Sequence, residues 1–164
     1  MSHPRRNDLV PASVLDRLLD DDPRAAEEAP GGFLYDLHQH KQAVARDLEA
    51  LLNARRIGAG AALLEGRPQA RDSFLDFGIT DLSSLSPLDP DHRMLLRDQI
   101  CRTIERHEPR LAQVRVQLDL PREASRMLRF RVEALLLLHP HRPPVAFDAL
   151  LKLSSNACRV RSEA

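Results

Sequence analysis

Tryptophan is absent, tyrosine occurs once and phenylalanine five times. Any core must therefore be built from leucine, valine, isoleucine and alanine, whose burial stabilises by area rather than by ring geometry. Cysteine is scarce too: Cys101 and Cys158 are too few for a disulfide framework, and both read as reduced, buried thiols. No long apolar run exists. Leu135-Leu136-Leu137-Leu138 falls far short of the roughly 20 residues that span a bilayer, and Met1 to Pro11 has no signal-peptide core. These absences predict a cytoplasmic protein without direct membrane insertion.

Charge of one sign is also missing. Lys plus Arg and Asp plus Glu are 24 each, for a formal net charge of zero. Such a chain has little to offer a phosphate backbone, so no nucleic acid is expected as a partner. Lysine occurs only at Lys41 and Lys152, and nearly all positive charge is arginine. Arginine pairs bidentately with carboxylates, a chemistry suited to protein interfaces. At 164 residues the chain suits one domain with a terminal extension.

Catalytic signals are equally thin. There is no Gly-x-Ser-x-Gly elbow, and Ser73, Ser83, Ser84 and Ser86 sit in turn-like contexts. No glycine-rich phosphate loop precedes a helix, so no cofactor is expected. His38 and His40 lie two residues apart, on different sides of a helix, and His139 and His141 flank a proline in a turn. Neither pair has zinc-site spacing, and no metal is expected.

What is present is periodicity. Residues 1–32 read as an arm. Within it Val10, Val14, Leu15, Leu18 and Leu19 recur at helical spacing; Asp20-Asp21-Asp22-Pro23 ends that helix, and Ala29-Pro30-Gly31-Gly32 is a hinge. Residues 33–164 form the domain. A helix is predicted from Leu37 to about Asn53, with Asp36 as N-cap, Leu37, Val44, Leu48, Leu51 and Leu52 on one face, Arg55 and Arg56 complementing its C-terminus, and a stop at Gly58. Residues 58–72 are loop-like, and Phe74, Leu75 and Phe77 are expected to pin an irregular segment to the core. Asp89-Pro90 begins another helix, with Leu96, Ile100 and Ile104 inward, which must finish before Pro109.

Beyond Pro109 the period falls from about 3.6 to 2. Val114, Val116, Leu118 and Leu120 alternate with polar residues, as do Leu128, Phe130 and Val132. Ala134 to Leu138 is apolar on both faces and predicted to be covered from two sides. Val145 to Leu153 suggests a third strand, with helix as the alternative around Leu150, and Cys158-Arg159-Val160 a short fourth. The order predicts an α+β fold: N-terminal helices on one face of a small antiparallel sheet of three to four strands.

At the helix-to-strand joint stands Glu108-Pro109-Arg110. Pro109 excludes helical geometry at Glu108 and stiffens the backbone presenting both charges. Three readings stay open from the residues alone. One is an intramolecular Glu–Arg pair fixing the joint; another is a charged pair reserved for a partner. The third makes Glu108 the general acid of a peptidoglycan hydrolase, which needs a second carboxylate about 5–9.5 Å away. Asp81, Asp89 and Asp119 are candidates that no spacing argument separates.

Several motifs in order then resemble one family. Val14-Leu15-Asp16-Arg17-Leu18, the helical Arg46-Asp47-Leu48-Glu49-Ala50-Leu51-Leu52-Asn53-Ala54-Arg55, Phe77-Gly78-Ile79-Thr80-Asp81-Leu82, Glu108-Pro109-Arg110-Leu111 and Phe147-Asp148 are similar to segments of the type VI secretion baseplate subunit TssE and the related, often lysozyme-like-labelled wedge proteins of contractile phage tails. Thr80 departs from a proline in the family's pattern, and residues 58–72 have no counterpart. The resemblance implies a structural, non-enzymatic subunit whose partners are other baseplate wedge subunits and sheath proteins. It implies that Glu108, Pro109 and Arg110 bind the helical bundle of the other wedge subunits, and that a sheet edge accepts a sheath strand. Arg46 and Asp47 read as a solvated helix face.

Overall fold

In the computed structural model the described residues are 9–19, 34–56, 77–82, 84–86, 88–119, 127–138, 140–152, 154–155 and 157–163. The predicted hinge at 29–32, the loop 58–72, Phe74, Leu75, Leu120, His139 and Leu153 lie outside them.

Strands β3 (Leu111–Leu118), β4 (Met127–Leu136), β5 (Pro144–Lys152) and β6 (Ala157–Ser162) form an antiparallel meander in the order β3-β4-β5-β6. One face is apolar: Leu128, Phe130, Val132, Ala134 and Leu136 on β4 and Val145, Phe147, Ala149 and Leu151 on β5 are all buried. Helices α2 (Leu37–Asn53) and α3 (Pro90–His107) pack there, α2 along β6 and α3 along β3. Val44, Leu48, Leu51 and Leu52 face inward from α2, and Leu96, Ile100 and Ile104 from α3. The α+β prediction and both helix spans agree with this arrangement. Strand, not helix, holds around Leu150.

Caps set the helix boundaries. Asp36 accepts from the Gln39 amide at 2.8 Å while Gln39 reaches back to the Asp36 amide at 2.9 Å. Asp89 caps α3 with Pro90 in its first turn. Helix α2 ends at Asn53 as expected, but Gly58 is not what stops it: with Ala54 as C-cap, the backbone at Arg55 pairs with Ile79, which leaves Arg55 and Arg56 beyond the last turn. The Ile79 amide donates to the Ala54 carbonyl and the Arg56 amide to the Ile79 carbonyl, both at 3.1 Å.

Ile79 and Leu82 are the residues that pin the 77–82 segment; Phe77 is exposed, edge-on to His107. Gly78 makes the close approach possible. It sits at φ 101°, and a Cβ there would overlap the Ala54 carbonyl. Leu137 is likewise exposed and Leu135 half-buried, so the apolar end of β4 is covered from one side only. Cys158 is buried, but Cys101 is only half-buried.

The arm departs most from its periodicity. Val10 is not helical: β1 (Val10–Pro11) pairs antiparallel with β2 (Leu34–Tyr35). The helix α1 is only Val14–Leu18, and Leu19 is already extended, ahead of the Asp20–Pro23 stop. Its apolar side chains face outward, with Val14 74% and Leu18 76% exposed. The buried residue is Asp16. One and a half turns bury too little surface to hold by apolar contact, and the anchor is ionic instead.

Candidate functional site: a carboxylate–arginine relay and an open sheet edge

Glu108 is the C-cap of α3, at φ −120° and ψ 81°, as the following proline requires. Its amide donates to the Ile104 carbonyl at 2.9 Å, and its carbonyl accepts from the Leu111 amide at 3.1 Å. Pro109 therefore occupies the second position of a tight turn, where its fixed φ fits. That turn folds Arg110 back over the helix end. Its Nε donates to Glu108 Oε1 at 2.7 Å and one terminal nitrogen to Oε2 at 2.6 Å, a fork-on-carboxylate pair.

The same terminal nitrogen reaches Asp47 Oδ2 on α2, also at 2.6 Å. The other Asp47 oxygen accepts from Arg46 Nε at 2.9 Å and from an Arg46 terminal nitrogen at 2.7 Å. Arg46 in turn donates to Asp16 Oδ1 on the arm at 2.6 Å, and the Ser13 hydroxyl and amide donate to Asp16 Oδ2 at 2.6 and 3.2 Å. Five alternating charges thus connect arm, α2 and the α3–β3 joint. Glu108 and Asp16, its ends, are each 5% exposed; Arg46 is largely outside.

Burial opposes the charge on Arg110, but the hydrogen bonds and charges of Glu108 and then Asp47 outweigh it and raise its pKa. Asp16 behaves alike: burial favours its neutral form, yet the Ser13 and Arg46 contacts prevail and hold it below the usual carboxylate range. His40 shares the arm's docking. Buried beside Tyr35, it donates from Nε2 to the Val10 carbonyl at 3.2 Å, and burial lowers its pKa. His38 is exposed and bonded to Gln42.

Glu108 and Arg110 are therefore joined directly. Sequence reasoning missed Arg46, Asp47 and Asp16, reading the first two as solvated. Their alternation of sign was visible, but nothing in the order of residues says that positions 16, 47 and 110 meet. The carboxylates considered as a second catalytic group do not join them. Asp89 and Asp119 stand at the far ends of α3 and β3, each about 25 Å along its element. Asp81 is exposed beside Arg55. A bidentate guanidinium also matches the ionised carboxylate rather than a proton donor.

The sheet has two unlike edges. The Glu163 amide donates to the Ala146 carbonyl, so by antiparallel alternation Cys158 and Val160 turn their backbone groups away from β5. Helix α2 takes them up. Asn53 donates to the Cys158 carbonyl at 2.9 Å and accepts its amide at 2.8 Å, and Glu49 accepts the Val160 amide at 2.9 Å. On β3 the Asp119 amide donates to the Arg129 carbonyl, which turns the Val116 and Leu118 backbone outward. Among the described residues nothing bonds to them. A bulge between Ala112 and Arg115, with Gln113 at φ 54°, lets both Leu111 and Val114 point inward.

Among the described residues no helix is long and apolar enough to cross a membrane. A comparison with curated proteins finds no match. The family model of baseplate wedge protein gp25 matches residues 38–141, from the first turn of α2 through β4, with the whole Glu108–Arg110 turn inside it. The chain belongs to that family, the structural baseplate wedge proteins of contractile tail-like systems, which act together with other baseplate components.

Proposed function

We propose that this chain is the TssE-type wedge subunit of a type VI secretion system, linking the wedge to the contractile sheath and nucleating sheath assembly on the cytoplasmic side. The observation that carries the reading is the inequality of the sheet edges. Helix α2 side chains occupy the β6 rim, whereas Val116 and Leu118 leave amides and carbonyls on β3 for an incoming strand. Motifs outside the matched span, Val14 to Leu18 and Phe147-Asp148, also resemble segments of the TssE-type wedge family.

In this reading Glu108, Pro109 and Arg110 bind the other wedge subunits. Glu108 is the positioning member, since its carboxylate is turned inward onto Arg110; Pro109 and the remaining donors of Arg110 make the contact. Residues 1–32 act as an arm to the domain at 33–164.

Leu118→Pro is the direct test. It removes one outward amide of β3 while the ladder to β4, carried by its neighbours, is kept. A folded variant that starts no sheaths in cells supports strand addition at β3. Sheaths of normal number would refute it. Arg110→Ala, folded and recruited to no wedge, tests the second contact.

A further inference from the structure

The face of the sheet turned away from the helices is laid out in rows. Across the strands run Gln117, Arg131, Asp148 and Arg161, and next to them Arg129, Leu150 and Arg159. These side chains line a depression of about 700 Å³. Arg131 is tied internally, to Asp148 at 3.0 Å and to Glu163 at 2.6 Å. Arg129, Arg159 and Arg161 are exposed, and among the described residues none of their guanidinium groups has a hydrogen bond or ion pair. Arg159 and Arg161 are two residues apart on one strand, so their stems stand about 7 Å apart. Arg129 is two strands from Arg159, about 10 Å away.

We infer that this face is a docking site for a carboxylate-bearing segment of another protein subunit. Three guanidinium groups held near one another repel, and that repulsion is relieved by an anion that forks between them. The depression also contains Asp119 and Asp148. A continuous phosphate backbone would meet both of these, and the chain's zero net charge gives it no long-range attraction. A peptide avoids them by setting discrete carboxylates about 6–7 Å apart, as alternate strand positions or successive helical turns do. This surface is distinct from the β3 rim, so its failure and the failure of strand addition are read separately.

The test uses the full chain and a fluorescent peptide alternating Glu and Ser, followed by anisotropy at physiological ionic strength. R129Q/R159Q/R161Q should weaken binding about tenfold or more. A control with the same charge change elsewhere, K41Q/R102Q/R142Q, should change it less than about twofold. R129K/R159K/R161K keeps the charge but loses the fork, and should fall between. Equal loss in face and control variants would overturn the proposal, as would no binding by the wild type. So would a single-stranded DNA oligomer that binds more tightly than the peptide and loses affinity in the face variant.

Discussion

Arg110 and Asp47 are 63 positions apart in the chain, yet their side chains meet at 2.6 Å. Through this contact the turn after α3 is held to the middle of α2, and a local Glu–Arg pair becomes part of a relay reaching the arm. Removing either partner leaves a partly buried charge. In a double-mutant cycle of Asp47→Ala and Arg110→Ala we expect a coupling of about 1–3 kcal/mol by denaturant unfolding. Additive effects would mean that the contact contributes nothing.

Glu108→Ala strips Arg110 of its bidentate partner but leaves Asp47. Breaking a fully buried pair costs about 3–5 kcal/mol; with the Arg110 side chain 25% exposed we expect nearer 2. The variant should remain folded by circular dichroism with a lowered midpoint, so loss of wedge binding would be separable from unfolding.

Docking of the arm should depend on pH in two steps. His40 has a folded pKa below 6.5, so the unfolded or undocked state binds more protons. Its contribution is complete above pH 6.5 and is lost as pH falls below that value. The Asp16 value is held below 3.8, so its contribution persists above 3.8 and disappears as pH falls further. Amide exchange of residues 10–18, corrected for intrinsic rates, reads both. His40→Asn should flatten the first step, and Asp16→Asn the second.

Gly78 admits no side chain. An alanine there would meet both a positive φ and the Ala54 carbonyl, and should cost about 2–4 kcal/mol. A loss under 1 kcal/mol by calorimetry would show that the Ala54–Ile79 bridge shifts without penalty.

Opening the β6 rim should change association. Glu49→Ala with Asn53→Ala frees the Cys158 and Val160 backbone groups. We expect about 1–3 kcal/mol of destabilisation and concentration-dependent self-association in sedimentation, through edge-to-edge pairing. A monomer at all concentrations would mean that α2 protects the edge by bulk alone. The buried Cys158 thiol, its pKa pushed up to about 12 by burial and then by the Glu49 charge, stays unreactive as long as α2 covers it.

The order of residues by itself determined both long helices and the succession of strands. Local rules suffice there: Asp36 and Asp89 cap, Pro109 ends a helix, and the switch of period from 3.6 to 2 marks where helices give way to sheet. It also marked Glu108-Pro109-Arg110 as the joint worth attention. Only tertiary structure decided that Asp16, Arg46 and Asp47 join that motif, because ion pairs between distant positions leave no periodic trace. The fate of each edge was decided the same way. Asn53 and Glu49 are ordinary helix residues until packing sets them against β6, whereas among the described residues no side chain takes up the outward amides and carbonyls of Val116 and Leu118 on β3. Length and depth of burial settled the arm: five helical residues cannot hold by their apolar face, so the charge of Asp16 does.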